Sequence, residues 1–178
     1  FVSPKAVPAL ADADKVLAGI DRVPGVVYVA LVPNVRGVQN AAATARKPDE
    51  VNAVVSASET HNIANINRTH EQSLAELPTM VKVAHDAGMK ITMSLSTTFG
   101  CPFEGRVHED VVMELVERFR DAGFDGISLA DTTGMANPRQ VRELVARVLG
   151  RYPPPDECYY TLHFHNTRGM GLANVVAG

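Results

Sequence analysis

The amino-acid sequence predicts an α/β fold built on a parallel sheet, and two observations support this. Short apolar segments of strand length alternate with amphipathic segments of helix length along all 178 residues. The apolar segments are continuous, which is typical of strands that are buried on both faces. This alternation places parallel strands in one sheet and helices outside it.

Five strands are predicted, and breakers or polar residues bound them. Pro24 and Gly25 precede the first strand, and Pro33 with Asn34 ends it. The predicted strands are Val26–Val32, Asn52–Ser58, Ile91–Ser96, Gly126–Ala130 and the segment from Tyr159 to His165.

Helices are predicted between the strands from apolar periodicity and from capping residues. Thr69 and Gln72 have the spacing of a capping box, so a helix should begin there. Pro78 lies within that helix and predicts a kink or a later start. The predicted helices are Ala9–Ile20, Val38–Ala45, Thr69–Asp86, Val107–Ala122, Asn137–Gly150 and one from Gly169 onward, with a polar loop at His61–Thr69 and a proline-rich loop before Tyr159.

The composition is that of an ordinary soluble globular protein, with 46% hydrophobic and 21% charged residues. A net charge of −3 implies no general attraction to nucleic acid or anionic membranes. No apolar run approaches the roughly 20 residues that span a bilayer. Cys101 and Cys158 suggest no disulfide framework, so we expect a reducing, cytoplasmic location. The chain begins at Phe1 and ends at Gly178 within a predicted helix, so both ends look cut.

Two architectures fit the alternation, an open doubly wound sheet and a (β/α)₈ barrel. No Gly-x-Gly-x-x-Gly follows an early strand, which weakens the nucleotide-binding alternative. In a barrel, the carboxyl ends of all strands converge on one mouth. A full barrel takes roughly 250 residues, so five strands predict an incomplete one. Polar residues follow the predicted strands at Asn34, Glu59, Ser96, Asp131, His163 and His165.

The histidines of the last strand are the main candidates for a functional site. Successive strand side chains alternate between faces, so His163 and His165 point the same way. Two neutral imidazoles side by side suit one divalent metal ion, although both could be ordinary strand residues. Asp131 is either an active-site residue or the cap of the turn that follows it. Four other histidines are predicted to be surface or capping residues: His61, His70, His85 and His108.

Seven short segments occur in an order found in one enzyme family. They are Phe1-Val2-Ser3-Pro4-Lys5, Pro33-Asn34, Ser58-Glu59, Asn65-Ile66-Asn67, Gly100-Cys101-Pro102-Phe103-Glu104-Gly105, Ser128-Leu129-Ala130-Asp131-Thr132-Thr133-Gly134 and His163-Phe164-His165-Asn166-Thr167-Arg168-Gly169. Together they resemble the 3-hydroxy-3-methylglutaryl-CoA (HMG-CoA) lyase family of metal-dependent TIM barrels. The resemblance implies that residues 1–178 are a single partial catalytic domain, truncated at both ends, with about strands three to seven of the barrel.

The resemblance also implies a reaction, which is the metal-assisted retro-Claisen cleavage of HMG-CoA, or of a related branched 3-hydroxy-glutaryl-CoA, to acetyl-CoA and acetoacetate. His163 and His165 would bind Mg²⁺ or Mn²⁺, and His163 would also move a proton. Asp131 would be catalytic, while Asn34 and Ser128 would contact the acyl-CoA substrate. The remaining metal ligands and a catalytic cysteine are expected outside this chain, in a homo-oligomeric full-length protein.

One departure from the family pattern bears on the substrate. The family often has a tyrosine where this chain has Ser94, at a position that faces the acyl pocket. A smaller Ser94 would fit a larger, branched acyl group. Two alternatives stay open: a Claisen-type synthase of the same barrel group, such as isopropylmalate or homocitrate synthase, and a catalytically incomplete fragment.

Overall fold

The computed structural model describes residues 1–153 and 157–178, which contain a five-stranded parallel sheet. The strands are β1 (Val29–Val32), β2 (Glu50–Ser56), β3 (Lys90–Ser96), β4 (Gly126–Asp131) and β5 (Tyr159–Phe164). Each strand pairs with the next one along the chain, in the order β1-β2-β3-β4-β5. A doubly wound sheet reverses its order at a switch point, whereas a barrel does not. The sequential order therefore confirms the partial barrel and excludes the open doubly wound sheet.

One helix precedes the sheet, and helices also follow each strand and together cover one side of the sheet. They are α1 (Ala13–Gly19), α2 (Val35–Ala42), α3 (Glu59–Ile66), α4 (His70–Asp86), α5 (Glu109–Asp121), α6 (Pro138–Arg151) and α7 (Gly171–Ala177), with a 3₁₀ turn at Pro8–Leu10. Thr69 and Gln72 form the predicted capping box at the start of α4. Asn137 caps α6 as predicted. In the part of the chain that the structure describes, no helix is both long enough and apolar enough to cross a membrane.

Three local expectations differ from the structure. A helix, α3, occupies most of the expected polar loop, and Asn62 is its only buried residue, so apolar periodicity gives no signal there. α4 begins at His70, so Pro78 lies inside it and does not delay its start. The first helix begins at Ala13 and is shorter than predicted. The proline-rich loop before β5 includes residues 154–156, which lie outside the described part of the chain.

The hydrophobic core lies between the sheet and the helices. Leu77 of α4, Met93 of β3 and Phe119 of α5 are at most 1% exposed and are among its largest members. Burying one such side chain contributes about 1.5–3 kcal/mol. The core therefore holds the strands in place. Because all five strands are parallel, their carboxyl ends lie at the same end of the sheet.

The face of the sheet that points away from the helices, here called the inner face, is largely polar. The register of the strands places Glu50, Asn52, Thr92, Ser94, Ser128 and Thr161 on it. The expectation that Val26–Val32 is a strand buried on both faces is therefore wrong. Val29 and Leu31 pair with the inner-face residues of β2 and are 52% and 47% exposed, because no helix in the described part of the chain covers that face.

Candidate functional site

His163 and His165 lie side by side at the carboxyl end of β5. Their ring centroids are 5.0 Å apart, with 50° between the ring planes, and both residues are exposed. His163 pairs in register with Ala130 of β4. Because side chains alternate along a strand, this pairing puts His163 on the inner face with Ser128 and Thr161. The short distance between the two rings agrees with the prediction that both imidazoles point the same way.

The two imidazoles fit as part of a site for a divalent metal ion. Imidazole nitrogens bind such ions at about 2.0–2.1 Å, and neighbouring rings at this separation can both approach one ion. Within residues 1–153 and 157–178, no group of three or more His, Cys, Asp and Glu side chains is arranged to hold a metal. Within the described part of the chain, the pair therefore offers at most two of the ligands that such a site would need.

Asp131 lies at the end of β4 and is 1% exposed. Its Oδ1 accepts a hydrogen bond from the Met135 amide at 2.8 Å, which is the turn-capping role that the sequence offered as an alternative. Its Oδ2 is buried and has no hydrogen-bond partner among the described residues. In the register, Asp131 pairs with Phe164, so Ala130 is the β4 residue beside His163. A catalytic role for Asp131 stays a prediction.

The two predicted substrate-binding residues lie in different places. Ser128 is half-buried on the inner face of β4. It pairs in register with Thr161, which precedes His163 by two residues, so Ser128 lies one layer of inner-face residues below His163. Asn34 follows β1, at the opposite edge of the sheet from β5. The Asn34 side chain caps α2 by accepting a hydrogen bond from Gly37 N at 3.0 Å, and it borders a cavity of about 660 Å³. The structure thus brings Ser128, but not Asn34, close to the histidine strand.

A second polar cluster surrounds the end of β2, and the sequence analysis missed it. The buried Ser56 hydroxyl lies 2.7 Å from Nδ1 of His61. Nε2 of His70 lies 2.7 Å from the Ser56 carbonyl oxygen and donates to it. Partial burial lowers the pKa of His61, which favours its neutral form. The sequence could have suggested this cluster only if α3 had been recognised, because the helix brings His61 back over Ser56.

The segment Cys101–Gly105 is tied to the start of α3. Cys101 and Gly105 form an isolated antiparallel bridge, and Cys101 is fully buried. The Glu104 carboxylate accepts a hydrogen bond from the Thr60 amide at 2.8 Å, and bonding to Thr60 lowers the pKa of Glu104. The Phe103 ring lies 6.1 Å from the ring of His61, next to the second polar cluster.

A chain of hydrogen bonds crosses the inner face below His163, and no sequence pattern indicates it. We call it the inner-face chain. Its bonds are Tyr159 Oη to Glu50 Oε2 (3.0 Å), Thr92 Oγ1 to Glu50 Oε1 (2.7 Å), Asn52 Nδ2 to Thr92 Oγ1 (2.9 Å) and Ser94 Oγ to Asn52 Oδ1 (2.9 Å). Burial and the bond to Glu50 raise the pKa of Tyr159 to about 12.

The chain matches a known protein family over almost its entire length. The family model described as HMGL-like matches residues 6–178. The chain belongs to the HMGL-like family. This membership confirms the resemblance carried by the seven sequence segments, and the five-stranded sheet is a segment of the barrel of this family.

Individual proteins are similar to this chain over nearly its whole length. A hydroxymethylglutaryl-CoA lyase of Bacillus subtilis is 45% identical over 176 residues, which are 99% of this chain and 57% of that protein. An (R)-citramalyl-CoA lyase of Chloroflexus aurantiacus is 37% identical over 187 residues, again 99% and 57%. The solved structure of an HMG-CoA lyase from Acinetobacter baumannii, in complex with coenzyme A and 3-methylmalate, matches with a TM-score of 0.90 and 46% identity. That match covers 99% of this chain and 56% of the other. The chain thus spans a little over half the length of these relatives.

Proposed function

We propose that the protein containing this chain is a carbon–carbon lyase that cleaves HMG-CoA to acetyl-CoA and acetoacetate. The observation that carries the proposal is the pair of adjacent imidazoles of His163 and His165, in a chain 45% identical to a hydroxymethylglutaryl-CoA lyase. In the reaction, a base removes the proton of the C3 hydroxyl and the C2–C3 bond breaks. The electron pair of that bond passes to C2 as the enolate of acetyl-CoA, which then takes up a proton.

The residues of this chain have separate roles in the proposal. Mg²⁺ or Mn²⁺, when bound, would act as a Lewis acid for negative charge that develops on the substrate oxygen. His163 and His165 would hold that ion on the inner-face side of β5, and His163 would also move a proton. Ser128, one layer lower on β4, would contact the acyl group. Asp131 would orient the substrate or a proton donor, and Asn34 would contact a more distant part of the acyl-CoA.

We place residues 1–178 in one catalytic (β/α)₈ barrel that includes further strands, and we expect the intact protein to be a cytoplasmic homo-oligomer. The sequence has only two cysteines, both of them buried, and so few suggest no disulfide framework, which supports a reducing compartment. Size-exclusion chromatography with light scattering on the intact protein tests the oligomer, and cell fractionation tests the location.

Citramalyl-CoA is a second candidate substrate. The 37% identity to an (R)-citramalyl-CoA lyase extends over 99% of this chain, and that match supports the same bond cleavage on another acyl group. The products would then be acetyl-CoA and pyruvate. A Claisen-type synthase would run the opposite bond change and would consume acetyl-CoA.

The deciding experiment incubates the intact purified protein with Mg²⁺ or Mn²⁺ and with each thioester in turn. Mass spectrometry then quantifies acetyl-CoA and the matching oxo acid. Release of acetoacetate from HMG-CoA is expected, whereas pyruvate from citramalyl-CoA would favour the second candidate. Consumption of acetyl-CoA with a 2-oxo acid would instead identify a synthase. The 178-residue chain alone, assayed in parallel, is expected to be inactive, and turnover by it would show that its own residues suffice.

A further inference from the structure

The hydrogen bonds of the inner-face chain can run in only one direction. An ionised carboxylate accepts and cannot donate, so the hydroxyls of Tyr159 and Thr92 both donate to Glu50. With its proton committed to Glu50, Thr92 Oγ1 accepts from the Asn52 amide group at 2.9 Å. Asn52 Oδ1 therefore faces Ser94, whose hydroxyl donates to it at 2.9 Å.

This direction determines what Ser94 can offer to a bound molecule. The Ser94 hydroxyl already donates its proton to Asn52 within the inner-face chain, but its oxygen keeps free lone pairs. Ser94 is half-buried on the inner face, so those lone pairs are accessible from the interior of the sheet. Ser94 is thus presented as a hydrogen-bond acceptor, and the buried Glu50 is the group that sets this polarity.

Ser94 also lies in the layer directly below the histidine pair. It pairs in register with Ser128 of β4, which in turn pairs with Thr161 of β5. His163 follows Thr161 by two residues, so the two layers are about 7 Å apart along the strand. An acyl group held near His163 and His165 would lie above this layer, which extends from Thr161 across Ser128 to Ser94.

The chemistry of this layer distinguishes between substituents. An aliphatic branch would cover the oxygens of Ser94 and Ser128 without replacing their hydrogen bonds to water, which is unfavourable. A branch that ends in a hydroxyl would donate to the Ser94 acceptor instead. Size alone would allow either branch beside a small serine, so the direction of the inner-face chain decides between them.

We propose that Ser94 is a specificity-determining residue, and that it selects 3-hydroxyacyl-CoA thioesters whose C3 branch carries an O–H donor over those with an aliphatic branch of equal size. Asn52, Thr92 and Glu50 are positioning residues that act through Ser94. The inference rests on the proposed lyase function, and it replaces size with polarity as the property that the acyl pocket reads.

A matched pair of substrates tests the proposal in the intact protein with Mg²⁺ or Mn²⁺. The 3-hydroxymethyl and 3-ethyl analogues of HMG-CoA have branches of nearly equal size, and they differ by a hydroxyl in place of a methyl group. Acetyl-CoA release from both, with HMG-CoA as reference, gives kcat/KM. The hydroxymethyl compound is expected to be preferred about tenfold, which is the worth of one ordinary hydrogen bond.

Three variants locate the cause of this preference. Ser94→Ala removes the acceptor and should bring the ratio of the two kcat/KM values close to one. Glu50→Gln puts an amide N–H₂ group where the carboxylate offered only acceptors. The hydrogen bonds of the inner-face chain can then run in the opposite direction, which leaves the Ser94 hydroxyl able to donate to a bound substrate. The ratio should then fall although Ser94 is unchanged, which a purely structural role for Glu50 would not produce. Thr161→Val lies in the same layer but outside the inner-face chain, and it should keep most of the preference.

The outcomes separate this inference from the proposed function. If the folded wild-type protein cleaves none of the three thioesters, the lyase proposal fails. If it cleaves HMG-CoA but treats the matched pair equally, or prefers the ethyl compound, the lyase stands and the role of Ser94 is refuted. This wild-type comparison decides the matter even if a variant does not fold.

Discussion

The Tyr159 hydroxyl donates a 3.0 Å hydrogen bond to the Glu50 carboxylate and so joins β5 directly to β2. Two strands, β3 and β4, lie between them in the sheet. In a flat sheet, strands so placed would be about 14 Å apart. The Tyr159 ring passes over Gly126 of β4, so the two side chains span the intervening strands along the inner face. The bond therefore braces β5 against β2, and it ends on Glu50, the carboxylate that sets the polarity presented at Ser94.

Tyr159→Phe should lower the free energy of unfolding of the intact protein by about 1–2 kcal/mol, because a buried carboxylate loses one of its two donors. Urea denaturation followed by circular dichroism measures the change. Tyr152→Phe is a matched control, since the Tyr152 ring packs against Arg120 at 4.1 Å and keeps that contact without its hydroxyl. Equal effects of the two substitutions would contradict the bracing role.

Gly126→Ala should be destabilising by about 1–3 kcal/mol, because a Cβ at this position would lie 2.6 Å from the ring of Tyr159. The Tyr159 ring would have to move, and its hydroxyl would lose the hydrogen bond to Glu50. The double variant with Tyr159→Phe should therefore cost less than the sum of the single changes, since both remove the same bond. Gly150→Ala is the control: nothing lies within 4 Å of its added methyl, and in α6 it should be neutral or stabilising by up to about 1 kcal/mol. An additive double variant would show that the two residues are independent.

His61 should make stability depend on pH in mildly acidic solution. Its folded pKa is lowered from 6.5 by burial, so between that lowered pKa and 6.5 the unfolded chain binds more protons than the folded one. Stability should accordingly be fully present above 6.5 and decline as the pH falls toward the folded pKa. His61→Phe keeps a ring beside Phe103 and should flatten this decline, measured by urea midpoints at several pH values. His108→Gln removes an exposed histidine as the control, and identical slopes in wild type and His61→Phe would rule out this contribution.

Removing one imidazole of the histidine pair should weaken metal binding. We expect His163→Gln and His165→Gln each to lower Mn²⁺ affinity of the intact protein at least about tenfold, since each removes a direct ligand, whereas loss of an outer-shell partner alone typically costs 10–100-fold. Titration followed by electron paramagnetic resonance measures free Mn²⁺ without any requirement for activity. His85→Gln, whose histidine pairs with Asp125 at 3.0 Å, provides the matched control. Unchanged affinity in both variants would remove the pair from the metal site.

The sequence predicted those features that depend on neighbours along the chain. The alternation of strands and helices, the capping box of Thr69 with Gln72, and the shared orientation of His163 and His165 all follow from local periodicity and local hydrogen bonds. The seven ordered segments also indicated the protein family. The helix α3 was missed because it buries only Asn62, so no apolar stripe marks it.

The tertiary structure alone decided which face of each strand points inward and what that face can bind. Glu50 and Tyr159 are 109 residues apart in the sequence, and only the tertiary fold brings them together. The pairing of β2 with β3 likewise joins Asn52, Thr92 and Ser94 in one directed chain of hydrogen bonds, although the sequence shows them only as polar residues within strands. The sequence by itself therefore determined the elements, the family and the histidine pair. The polarity of the surface beneath that pair depends on contacts between distant strands, which no local pattern encodes.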